Sequence, residues 1–149
     1  MYALAKRLDG KQQIDGTYLE AALRAVIQLC LPDTDFSFLK NVTVKTFFND
    51  MTSNTIKLTK QLIHKFDFIQ VGFNIDEGWN HCTNNEFKLR PIGASLGGHA
   101  VGLCGYDSDG FYVFNQWGTN WGAKGFAIMP YDLFTKQFMY GAYLTNITY

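Results

Sequence analysis

Two β-prone apolar runs, His99–Tyr106 and Phe111–Trp117, flank Asp107-Ser108-Asp109-Gly110, and no other feature restricts the fold of this chain so much. An Asp-Gly turn between such runs closes a hairpin. A hairpin brings the far ends of its strands together. His99 opens the first run and Asn115 ends the second, so the two are expected to meet. An amide oxygen that accepts from one imidazole nitrogen fixes the tautomer and aims the other nitrogen outward. Trp117 follows two residues later, on the same side of an extended chain, where it would cover that bond from water and strengthen it. Gly97 and Gly98, just ahead of His99, let other backbone or a ligand come close.

The rest of the chain supplies elements for that hairpin to pack on. Thr17 and Glu20 form a capping box ahead of an apolar stripe of Leu19, Leu23, Val26, Ile27 and Cys30, which predicts a helix. Asp15-Gly16 breaks the chain before it and Leu31-Pro32-Asp33 stops it. The polar stretch up to Asn54 reads as long loops with at most one short element. A second helix is expected from Ile56 to Phe66, with Leu58, Leu62, Ile63 and Phe66 on one face. Strands are expected at Phe68–Ile75, at Gly125–Met129 and at Tyr140–Ile147, with a helical turn at Tyr131–Phe138. Helices come first and strands later, an order that argues α+β.

Composition narrows the partners. The 149 residues are 47% apolar with 13 basic and 13 acidic side chains, which rules out disorder and leaves no global field to gather phosphates. Nucleic acid is therefore not an expected partner, and no apolar run reaches the 18 or more residues of a membrane span. Cys30, Cys82 and Cys104 stand in unrelated contexts without zinc spacing, so no metal and no cofactor are expected. The sequons at Asn41 and Asn146 carry no weight without evidence of secretion.

Taken singly, a histidine at a strand start, an asparagine at a turn and tryptophans among glycines are ordinary packing. Together they are not. His99-Ala100-Val101, Gly105-Tyr106-Asp107, Asn115-Gln116-Trp117-Gly118, Trp121-Gly122 and Gly125-Phe126 resemble the C-terminal half of the papain-like cysteine peptidases. Gly16-Thr17-Tyr18-Leu19-Glu20-Ala21-Ala22-Leu23 is similar to a helix of the bacterial-type branch. The resemblance implies a papain-like α+β fold with a partial helical left domain over 1–54 and an antiparallel, β-barrel-like right domain over 55–149. It implies that His99 deprotonates a nucleophilic thiol and later protonates the leaving amine, that Asn115 orients it, and that Trp117 shields the pair. A neighbouring imidazolium holds such a thiolate below the free thiol's pKa of about 8.5. Gly72, Gly98 and Ala100 would border the substrate pocket, and a peptide or protein would be the substrate.

The resemblance is incomplete. The family's C-G-S-C-W-type segment, which places its nucleophile about 130 residues ahead of the histidine, is missing, and the oxyanion-hole glutamine with it. Gln116 stands where the family usually has serine. Cys30 reads as core, Cys104 points away from His99, and Cys82 is expected in an exposed loop; His64 and His81 read as solvated. The chain therefore looks like a papain-like domain that begins after its nucleophile helix, inactive by itself and prone to self-association through an exposed cleft face. A catalytically inactive peptide- or protein-binding module is the alternative. A metal site on His81, Cys82 and His99 is a distant third.

Overall fold

The computed structural model describes residues 2–10, 18–30 and 42–146, and for Tyr2 and Cys30 the backbone only. The Thr17 capping box, the Leu31-Pro32-Asp33 stop, the Asn41 sequon and the burial of Cys30 lie outside the described residues. The chain divides into two compact units, Met1–Thr46 with Ala142–Tyr149, and Phe47–Gly141.

In the first unit α1 (Tyr2–Asp9) packs on α2 (Leu19–Cys30). Ala5, Leu19, Ala21 and Ala25 are buried there, and the three alanines let two helix backbones approach closely. This corrects the expected stripe: Leu23 and Ile27 are only half-buried and Val26 is exposed. Glu20 and Arg24, one turn apart on α2, form a solvated ion pair at 2.7 Å.

The second unit carries α3 (Ser53–Phe66), β2 (Ile69–Asp76), a 3-10 helix (Glu77–His81), β3 (Ser95–Tyr106), β4 (Gly110–Phe114), β5 (Phe126–Pro130) and α4 (Tyr131–Gln137). Thr52 caps α3 by accepting from the Asn54 amide at 3.1 Å. Asp67, at φ 60°, ends the helix, and its amide donates to the Ile63 carbonyl. The inward face of α3 is Thr55, Thr59, Leu62 and Ile63; Leu58 turns outward, one position away from the expected stripe. Thr59 is tolerated inside because its hydroxyl donates to the Thr55 carbonyl at 2.7 Å.

With β1 (Thr43–Phe48) and β6 (Phe138–Thr145), the strands form one sheet in the order β1-β6-β2-β3-β4-β5. The α+β expectation holds, but the sheet is open rather than closed. The outer edge of β5 is instead occupied by the segment around Lys88: the Leu89 amide donates to Ile128 at 2.9 Å, and the Ile128 amide to Phe87 at 2.8 Å. A covered edge offers no unpaired amides for closure.

The core beneath β2 and β3 is aromatic. Phe73, Trp79, Phe111 and Phe134 are fully buried, and Phe73 meets Trp79 at 5.7 Å and Phe134 at 5.8 Å between ring centres. β2 and β3 pair antiparallel with Ile69 opposite Leu103, Val71 opposite Val101 and Phe73 opposite His99. Directly opposed residues share a face, so His99 ends a buried apolar column.

Candidate active site

The β3–β4 register brings the two ends of the motif together. Gly102 pairs with Phe114 and Leu103 with Val113, so Asn115, two residues past Val113, falls on the face that carries Val101 and His99. His99 Nε2 lies 2.9 Å from Asn115 Oδ1. An amide oxygen only accepts, so Nε2 carries the proton and donates it, and Nδ1 is the nitrogen left for chemistry. Asn115 is 2% exposed, and its Nδ2 has no partner among the described residues.

Glycines hold the segment after Asn115 in a tight return. Gly118 (φ +89°) and Gly125 (φ +95°) occupy the left-handed region, which glycine alone enters without strain. The Gly125 amide donates to Trp121 at 2.7 Å, and the Asn115 amide donates to Gly125 at 2.9 Å. Gln116 reaches across β3 and donates from Nε2 to the Ala100 carbonyl at 3.2 Å. A serine is too short for that span, which gives the glutamine a role of its own.

Two indoles meet the imidazole and a third packs behind them. Trp117 lies against the imidazole, 4.6 Å between ring centres at 34°, and remains 40% exposed. Trp79 meets His99 at 5.8 Å and 85°, and stacks on Trp121 at 5.9 Å. Trp121 Nε1 donates to the Trp79 carbonyl at 2.6 Å. Trp79 was not singled out by sequence. Its signal was an aromatic side chain two residues beyond Asp76-Glu77, where an aspartate caps a short helix.

The predicted pocket residues share the other face of the sheet. Gly72 pairs with Ala100 and Gly98 with Asn74, alternating with the His99 column. A methyl at Gly72 would touch the Tyr140 ring at 3.3 Å, whereas Gly98 faces open space.

Neither described thiol joins the pair. Cys104 alternates to the face away from His99 and is exposed, with Sγ 3.7 Å from the Tyr112 carbonyl. Cys82 is buried rather than in an exposed loop, and burial pushes its thiol up to about 11. It lies inside because its carbonyl accepts from the Gly122 amide at 3.1 Å, fastening the loop to the glycine return. His64 and His81 are exposed, as expected. Among the described residues no three His, Cys, Asp or Glu side chains gather as a metal site.

Residues 14–137 match the profile of the papain family cysteine proteases. Over 62 residues the chain is 37% identical to cathepsin B-like cysteine proteinase 5 of Caenorhabditis elegans, covering 39% of this chain and 18% of that protein. The structure overlays on xylellain, a cysteine protease from Xylella fastidiosa, with a TM-score of 0.51 at 21% identity, over 66% of this chain and 38% of that one. The chain thus spans 18% and 38% of the lengths of these two proteins. The xylellain overlay bears on the fold alone.

Proposed function

The chain belongs to the papain family of cysteine proteases, and on that premise we propose that it supplies the imidazole and carboxamide of a Cys-His-Asn peptide-bond hydrolysing site. The observation that carries the reading is the 2.9 Å contact from His99 Nε2 to Asn115 Oδ1, which reserves Nδ1 for proton transfer. Neither Cys82 nor Cys104 is placed to serve as the nucleophile, and on this reading a thiol of a longer polypeptide would supply it.

With that thiol in place, His99 Nδ1 takes its proton and the thiolate adds to the scissile carbonyl carbon. The carbonyl electron pair moves to oxygen and returns as the C–N bond breaks, and Nδ1–H protonates the departing amine. The acyl group is then a thioester. Water attacks it, Nδ1 takes the water's proton, and that proton returns to sulfur as the carboxylic acid leaves. Asn115 holds the ring through both transfers, and Trp117 keeps water from competing for the Nε2 hydrogen bond. Gly98 and Ala100 lie on the sheet face opposite the imidazole, so they would border the substrate chain from that face.

A second reading is a peptide-binding module without turnover. It is favoured by the state of the two described thiols, one buried and protonated, the other on the far face. Two measurements separate the readings. DNA on the 5′ side of this reading frame is expected to encode a Q-x-x-x-C-G-S-C-type segment in frame. The longer product should hydrolyse a peptide, lose that activity on alkylation, and lose about 10²–10⁴-fold in kcat on His99→Ala, as removal of a general base predicts. A longer product that binds peptide without cleaving it would instead establish the module.

A further inference from the structure

With His99 as the site imidazole, the hydrogen bond at Nε2 and the half-exposed Trp117 ring on one side still let the ring tilt about Nε2. A further restraint lies on the buried side. Trp79, fully buried, meets the imidazole at 85°. A buried indole N–H requires an acceptor, and Nε1 donates to Gln137 Oε1 at 2.9 Å. Gln137 in turn donates from Nε2 to Asp76 Oδ2 at 2.7 Å. The amide has only one orientation here, because an indole can only donate and a carboxylate only accepts.

Asp76 acts twice. Its Oδ1 accepts from the Gly78 amide at 2.9 Å and so caps the 3-10 helix that carries Trp79. Through Gln137, at the end of α4, its Oδ2 also holds the far edge of the same indole. The backbone of Trp79 is fastened too, by the Trp121 Nε1 bond to its carbonyl. The indole therefore cannot flip without breaking a buried, charge-anchored pair of hydrogen bonds, which are stronger than neutral ones.

We infer that Trp79 is a positioning residue for His99, its indole locked by the Asp76–Gln137 tether so that the imidazole keeps Nε2 on Asn115. The tether supplies what a ring of similar size lacking an N–H would not: a fixed plane against which the histidine rests. It acts through His99 and touches no substrate.

The test needs no turnover, so it can fail while the peptidase reading stands. In the chain labelled with ¹⁵N-histidine, nuclear magnetic resonance reads the Nε2–H to Nδ1–H tautomer ratio of His99. The Trp79→Phe/Gln137→Leu double variant removes both partners of the buried indole bond, at the cost of a smaller ring in the core and of the Gln137 bond to Asp76. In that variant the Nε2–H share is expected to fall about fivefold relative to Nδ1–H, the size of one neutral hydrogen bond. A folded variant with an unchanged ratio overturns the inference. If the variant does not fold, the unaltered chain decides. A nuclear Overhauser effect between Trp79 and His99 ring protons, with one His99 tautomer, supports the inference, and its absence overturns it. A wild-type chain with the proton on Nδ1 would instead sink the function proposed above.

Discussion

His99 Nε2 and Asn115 Oδ1 are 2.9 Å apart across a hairpin, and Asn115 is almost wholly removed from water. A carboxamide in that position has given up its hydration to hold one ring nitrogen. Asn115→Ala strands the half-buried Nε2–H of His99 and empties a buried site. We expect a loss of about 1–3 kcal/mol in chemical unfolding, the cost of an unsatisfied buried donor. A loss near zero would mean that water replaces the amide freely.

Trp117 behaves differently because it is 40% exposed and contributes mainly a cover. Trp117 also meets Trp79 at 6.4 Å and Trp121 at 5.9 Å, so Trp117→Ala is expected to cost about 1–3 kcal/mol, less than truncation of a fully buried indole. The same variant should make the His99 ring N–H exchange with solvent markedly faster. Hydrogen exchange followed by nuclear magnetic resonance checks both, and an unchanged exchange rate would remove the covering role.

Cys82 gives a pH dependence whose sign can be worked out. Burial holds its thiol at about 11 in the folded chain, against 9.0 for an ordinary thiol. The unfolded chain therefore releases this proton first. The stability that Cys82 contributes is complete below pH 9.0 and is lost as the pH rises through about 11. Urea midpoints between these limits should fall more steeply for the native chain than for Cys82→Ala. Parallel slopes would show that the thiol is open to water.

Gly78 lies in the 3-10 helix that presents Trp79, and a methyl there would collide with the Arg90 carbonyl oxygen. Backbone does not swing aside as a side-chain tip does. Gly78→Ala is expected to destabilise the chain by about 1–3 kcal/mol, as overpacking does. The Trp79 indole resonance should shift with it. Melting at the wild-type temperature would refute this.

The hairpin, the His99–Asn115 meeting and the Trp117 cover were legible because each depends on residues near in sequence. Strand alternation and an Asp-Gly turn suffice to set them. Helix faces were less legible. Leu58 and Val26 fit a helical period yet turn outward, because Thr59 satisfies its hydroxyl within α3 and Ala21 and Ala25 share the inward face of α2 with Leu19.

What sequence alone determined about this protein is its class, its family and the meeting of His99 with Asn115, since local periodicity and a dense motif encode all three. Tertiary structure decided how that pair is held. Asp76, Trp79 and Gln137 converge only because β2, the short helix after it and α4 fold onto one another, 61 residues apart along the chain. It also decided that Cys82 is buried, because whether a loop thiol meets water depends on what packs over it. Hydrogen bonds and burial between distant segments leave no period in the sequence, so only the folded chain reveals them.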